Sequence, residues 1–198
     1  MKLLAFVDLH GNQKALKDIQ KKSRHADMIV CAGDISLFEN SLDSLLLQLE
    51  LLKKPVIIIP GNHEDEHDLR LASSVFGNIH DINNRSYMIG DYLFLGYGGG
   101  GFCRVDKKFD KIAKKFTLII KKNKGKKIIL VTHAPPYRTN LDNIEGDSCG
   151  NKAIRNFIDK VKPDLVISGH LHENAGKGDK IKNTRLINPG PFGKIIVI

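Results

Sequence analysis

Short apolar runs rich in Ile and Val alternate along the chain with longer, amphipathic, Lys-rich segments. Lys2–Val7 reads as a strand, Gln13–Ser23 as a helix and Ala26–Cys31 as a second strand. A helix is expected over Leu42–Leu52, where Leu45, Leu46, Leu49 and Leu52 form one stripe. Pro55–Ile59 is wholly apolar, as in a strand buried on both faces.

The pattern then changes. Arg85–Ile89 and Tyr92–Gly96, joined at Gly90-Asp91, predict a hairpin rather than another crossover unit. A Lys-rich helix follows over Lys107–Lys122, then a strand at Lys127–Thr132. A long loop runs through Pro135 and Pro136 to about Gly146, ahead of a helix at Lys152–Val161. Leu165–Ser168, Thr184–Ile187 and Lys194–Ile198 read as the final strands. Strand and helix alternation of this kind predicts a layered α/β domain with a mixed sheet. No linker, low-complexity tract or internal repeat interrupts it, so residues 1–198 are expected to form a single domain.

Charge adds one bias. The 31 Lys and Arg exceed the 22 Asp and Glu by nine, which favours approach by anions such as nucleic acid and phosphorylated small molecules. Much of the excess lies in Lys107–Lys127, where a solvated helix face accounts for it. Cys31, Cys103 and Cys149 lie far apart with no CxxC pair, which argues against a disulfide scaffold and for a reducing, cytoplasmic setting. The apolar start, Met1–Val7, is too short for a signal peptide, and no run is long enough to span a bilayer.

The chemistry concentrates in polar clusters that each follow an apolar strand. They are Asp8-Leu9-His10, Gly33-Asp34, Gly61-Asn62-His63-Glu64, Thr132-His133 and Gly169-His170-Leu171-His172. Carboxyl ends of strands in an open α/β sheet meet at one edge, where ligands bind. Asp8 with His10, and His170 with His172, are spaced i,i+2 and in extended backbone would share a face. Such pairs suit two ligands gripping one metal ion. Carboxylate, imidazole and amide donors without thiolate suit manganese, iron, zinc or related metals. Isolated His25, His67 and His80 are expected to be structural or surface groups. For the clustered set, a purely structural role would require coincidence at every strand end.

Taken in order, DxH, GD, GNHE, a His before Pro135-Pro136, and GHxH resemble the motifs of the calcineurin-like metallophosphoesterase superfamily. The similarity runs from Asp8 to Asn188-Pro189-Gly190. It implies a four-layered sandwich, two mixed sheets packed face to face with helices outside. The early strands would be parallel, with Tyr87–Gly96 in the second sheet. It further implies one divalent ion held by Asp8, His10, Asp34 and His172, and a second by Asp34, Asn62, His133 and His170. Asp34 would bridge them, and His63 would protonate the leaving oxygen. Manganese is the first expectation for the metals, with iron, zinc, nickel and cobalt as alternatives. Histidine ligands must be neutral, so activity is expected to fall on the acid side of the ordinary histidine range near ~6.5.

Gly33-Asp34-Ile35-Ser36 lacks the Asp-Arg of the GDxVDRG segment in the superfamily's Ser/Thr protein phosphatases. The pattern is closer to the small prokaryotic branch related to Icc-type cyclic-nucleotide phosphodiesterases. The expected activity is therefore hydrolysis of a phosphodiester, or a phosphomonoester, by water activated between two metals. The substrate would be a small phosphorylated molecule or nucleotide, bound with help from Asn62, His63, Arg104 and Arg138, and no membrane partner is expected. A nuclease acting on DNA or RNA is the alternative favoured by charge, although 198 residues leave little room for added DNA-binding regions. A non-catalytic scaffold, as in the retromer subunit of this fold, is the other; retention of His63 and every ligand counts against it. Gly96–Gly101 satisfies GxGxxG, but no helix opens at its end, so a glycine-rich border to the cleft is expected instead. Cys31 reads as a buried small hydrophobe.

Overall fold

Strand β1 (Lys2–Phe6) sends Leu4 and Phe6 to one side and Leu3, Ala5 and the following Val7 to the other, all fully buried. That alternation marks a strand covered on both faces. The computed structural model describes all 198 residues and continues through helix α1 (Gln13–Ser23), strand β2 (Met28–Cys31), helix α2 (Leu42–Glu50) and strand β3 (Val56–Ile58). Helix α3 (Glu66–Ser74) and strand β4 (Ile79–Asp81) complete this half. Next come the hairpin strands β5 (Arg85–Ile89) and β6 (Tyr92–Tyr97), helix α4 (Lys107–Lys122) and strand β7 (Lys127–Thr132). A small hairpin, β8 (Asn143–Ile144) and β9 (Asp147–Ser148), precedes helix α5 (Lys152–Val161) and strand β10 (Leu165–Ile167). The chain closes with a 3-10 turn at His172–Asn174 and strands β11 (Gly178–Ile181), β12 (Thr184–Ile187) and β13 (Lys194–Val197).

Two sheets result, in the orders β13-β1-β2-β3-β4 and β11-β12-β10-β7-β6-β5. In the first, β1 to β4 run parallel and β13 is antiparallel to β1. In the second, β6, β7, β10 and β12 run parallel, with β5 and β11 antiparallel at the edges. Leu3, Val30, Ile57, Phe94, Ile129 and Ile167 belong to one core that joins the inner faces of both sheets. On the outside, α1 and α2 cover the first sheet through Leu16, Ile19, Leu45 and Leu49. Helices α4 and α5 cover the second through Phe109, Phe116, Ile154 and Phe157. The four layers expected from the resemblance are present, and the Tyr87–Gly96 hairpin lies in the second sheet.

Besides the 3-10 turn, five elements are additions to the sequence reading: α3, β4, β8, β9 and β11. Each has a weak apolar signature. Only Leu69 and Ser73 of α3 are buried, β4 is an edge of three residues, and β11 alternates exposed and half-buried positions. Cys31 is fully buried, as expected. No helix is long and apolar enough to cross a membrane.

Candidate metal centre

Parallel strands β1, β2 and β3 end together, and so do β7 and β10 of the facing sheet. All eight clustered residues therefore reach one edge of the sandwich. Asp8, Asp34 and His133 are buried, while His10 and His63 are about a fifth exposed.

The route to this edge differs from the extended backbone anticipated for the i,i+2 pairs. Asp8, His10, Asp34 and His170 have φ of 55°, 47°, 52° and 70°, in the left-handed region. His172 begins the 3-10 turn. The chain must bend sharply off each strand to aim a short side chain back across the strand end. Such conformations cost non-glycine residues energy, and the surrounding contacts must hold them. Here the His10 and Gly11 amides donate to the Asp34 and Ile35 carbonyls, both at 3.0 Å, lacing the first turn to the second. A Cβ on Gly61 would overlap the Asp34 carboxylate, so only glycine admits this approach.

Glu64, whose role the sequence left unassigned, ties the second and third turns. Its buried carboxylate accepts from the Asp34 amide (3.0 Å), the Ser36 amide (2.9 Å), the Ser36 hydroxyl (2.8 Å) and the Gly61 amide (2.8 Å). The signal available in sequence was its position beside His63, in the same short motif.

At the centre, Asp34 Oδ2 lies 3.7 Å from His10 Nε2, 3.4 Å from His133 Nε2 and 4.0 Å from His63 Nε2. His10 Nε2 and His172 Nε2 are 3.1 Å apart. Asn62 Oδ1 lies 3.0 Å from His133 Nε2 and 2.9 Å from His170 Nδ1. The His170 amide donates to both oxygens of Asp8, at 3.2 and 3.1 Å. Ligand atoms of Asp8, His10 and His172 cluster within 4.8 Å of one another, as do those of His10, Asp34 and His63 and those of Asp8, Asp34 and His133.

The donor set fits cations. His133 Nδ1 faces the Ala32 carbonyl at 3.0 Å and His10 Nδ1 faces the Ser36 carbonyl at 3.3 Å. A carbonyl only accepts, so each neutral ring carries its proton on Nδ1 and turns a bare Nε2 inward. His133 Nε2 then meets the Asn62 carbonyl oxygen, acceptor against acceptor. A cation resolves that clash. Among protein groups alone a proton does so, and His133 titrates above the ordinary range. Burial is the largest influence and opposes its charge, but the hydrogen bond and charge of Asp34 outweigh it.

Arg104 and Arg138 gather at Tyr137. Both are exposed, and their guanidinium groups sit 5.9 and 5.4 Å from the centre of the Tyr137 ring. Arg104 also donates to the Ser148 carbonyl. A cavity of about 310 Å³ beside the cluster is lined by Asp8, His10, Asn12, His172 and Pro191. A larger groove of about 770 Å³ between α2 and α3 contains none of the ligand candidates.

A family model described as calcineurin-like phosphoesterase matches residues 1–174, which carry every cluster from Asp8 to His172. The chain belongs to this family. An uncharacterized protein of Methanocaldococcus jannaschii is 30% identical over 96% of this phosphoesterase and 88% of its own length. A protein of Arcobacter nitrofigilis named as a probable glycerophosphodiester phosphodiesterase is 24% identical over 84% of the chain, which spans 64% of that relative. Among solved structures, a dimetal phosphatase from Danio rerio shares the fold at a TM-score of 0.70 and 10% identity, over 94% of this chain and 86% of its own. The family is metal-dependent, and this phosphoesterase carries clusters of residues able to hold metal.

Metal uptake by this phosphoesterase is expected to weaken steeply in mild acid. Burial, the main cause, pushes Asp8 up to about 6, and His133 is also raised. Below pH ~6 both must surrender a proton before binding a cation, and each proton displaced changes affinity about tenfold per pH unit. His170 takes little part, since burial and the neighbouring His133 charge hold it at about 4. Asp8 thus joins the histidines as an acid-sensitive group. Competition titrations with a chromogenic chelator from pH 5 to 8 should show affinity climbing with pH and levelling only where both Asp8 and His133 have lost their protons. A flat profile would contradict the assignment of Asp8 and His133 as ligands.

Proposed function

We propose that this phosphoesterase hydrolyses a phosphodiester, with two divalent ions held around the shared Asp34 carboxylate. The convergence of His10, His63 and His133 on Asp34 Oδ2 carries this reading. Asp8, His10, Asp34 and His172 would hold one ion, and Asp34, Asn62, His133 and His170 the other, with manganese the first choice. When bound, such ions activate water near neutral pH and neutralise charge on the phosphoryl oxygens.

The side chains do the rest. His63 is proposed to hold the proton that the departing oxygen needs. Asn62 presents its carbonyl oxygen to both His133 Nε2 and His170 Nδ1, at 3.0 and 2.9 Å. Arg104 and Arg138, gathered at Tyr137, are proposed to draw the anionic substrate toward the cleft. The relative named as a glycerophosphodiester phosphodiesterase supports a diester over a monoester. Free Cys31, Cys103 and Cys149 support a cytoplasmic setting, and the core shared by both sheets supports treating residues 1–198 as a single domain.

Turnover of bis(p-nitrophenyl) phosphate by the manganese-loaded protein tests this directly. Hydrolysis is expected to stop with chelator, to return with manganese, and to exceed that of p-nitrophenyl phosphate. Two bound metals without turnover would favour a scaffold, and a strong preference for oligonucleotides over small diesters would favour a nuclease.

A further inference from the structure

Two aromatic side chains at the metal edge stand out in water. Phe38 is 77% exposed and Phe102 is 67% exposed, more than any other aromatic residue of the chain. Each lies against a histidine of the centre. The Phe38 ring is 4.4 Å from the His63 ring, tilted by 55°, and the Phe102 ring is 4.6 Å from the His170 ring at 67°. Phe38 follows β2 of one sheet and Phe102 follows β6 of the other, so the rings approach the site from its two sides.

Both residues sit on loops fastened at each end. The Phe38 loop begins at Ser36, held by Glu64, and is tied again where the Asp65 amide donates to Glu39 Oε1 at 2.7 Å. The Phe102 loop begins at Gly98, whose amide donates to Asn83 Oδ1 at 2.9 Å. It ends at buried Asp106, which accepts from the Tyr97 hydroxyl at 2.7 Å. Phe38 and Glu39 have φ of 51° and 62°, left-handed values that a non-glycine residue holds at a cost. Strained backbone that keeps a large apolar ring in water beside reactive groups points to a ligand that covers the ring.

We propose that Phe38 and Phe102 determine specificity, selecting diesters whose leaving alcohol carries a flat aromatic ring that stacks on Phe38. This rests on the phosphoesterase reading, because His63 marks the leaving-group side. A ring stacked on Phe38 lies next to the proton that its own alkoxide receives. Phe102, over His170, would receive the remaining ester group. A quaternary ammonium headgroup would also meet an aromatic face favourably, but the divalent ions close by repel it. A glycerol group offers no flat face at all.

The chain has no tryptophan, so Phe38→Trp and Phe102→Trp each introduce a single reporter. In metal-loaded protein, adenosine 5′-monophosphate is expected to quench the Phe38→Trp emission strongly, and glycerol phosphate at equal concentration to leave it nearly unchanged. For turnover, a dinucleoside monophosphate and glycerophosphoethanolamine provide alkoxide leaving groups with and without a ring. Phe38→Ala is expected to lower kcat/KM for the first about 5- to 160-fold more than for the second, the range set by loss of one stacked base. Phe38→Trp should restore the difference. Equal losses on both esters, or equal quenching by both phosphates, would overturn the proposal. If wild-type protein cleaved neither ester, the phosphoesterase reading would fail, while the quenching comparison would still decide whether Phe38 binds a ring.

Discussion

Asp34→Asn is expected to lower affinity for both metal ions by more than about 10²-fold and to remove hydrolysis with it. Changes outside a ligand set already cost about 10–100-fold in affinity, so loss of a shared anionic ligand must exceed that range. The substitution leaves shape intact. Asp34 Oδ1 accepts the His63 amide at 3.0 Å, and an asparagine carbonyl can take over that bond. What disappears is the charge at Oδ2, on which His10 and His133 converge. Burial pushes the Asp34 carboxyl up, but the hydrogen bond and charge of His133, with help from the His63 amide and His10, bring it to about 2. A group so firmly ionised is built to face cations. Metal analysis after gel filtration, with circular dichroism to check folding, reads the outcome. Two tightly retained metals in the folded variant would remove Asp34 from the bridging position.

His63→Ala is expected to reduce kcat by ~10²–10⁴-fold on diesters with alkyl leaving groups, the usual contribution of general acid catalysis. Metal content should stay unchanged, because the proposed ligand set leaves His63 out, although its Nε2 lies 4.0 Å from Asp34 Oδ2 in a cluster shared with His10. The loss should be smaller for a nitrophenyl ester, whose phenolate departs without a proton. A structural role for the ring predicts no such difference. Buried Nδ1 of His63 has no hydrogen-bond partner, unlike the Nδ1 atoms of His10 and His133, so no backbone carbonyl fixes the ring. Steady-state kinetics on matched alkyl and nitrophenyl diesters separate the accounts. Equal losses with metals retained would make His63 a positioning residue, and no loss would take it out of the chemistry.

The ligand candidates were legible because each follows a strand buried on both faces. Val56–Ile58, continued by Ile59, and the Ile128–Val131 run are apolar enough to mark their own ends, and the polar cluster that follows each declares itself. The turns that aim those residues were not legible. Left-handed backbone at Asp8, His10 and His170 depends on packing between strand ends, which an i,i+2 spacing does not encode. Distance along the chain hid other groups. Glu64 acts on amides 30 and 28 residues earlier, and Phe102 meets a histidine from a different strand-helix unit. Helix α3 escaped notice because its start, Asp65 and Glu66, continues the polar run of the motif before it.

The Glu64 carboxylate also sets how the centre can come apart. It is the common acceptor for backbone amides of two turns that are far apart in sequence, at Asp34 and Ser36 on one side and Gly61 on the other. Withdrawing the Gly61–Glu64 turn alone would strand the buried Asp34 and Ser36 amides, at a cost of about 1–3 kcal/mol for each. Opening the Asp34 turn alone would leave the Glu64 carboxylate with only the Gly61 amide. Each turn is therefore costlier to open than an untied loop. The Asp34 and Asn62 sides of the centre form one cooperative unit, whose local unfolding lies closer to global unfolding than to the fraying of ordinary loops.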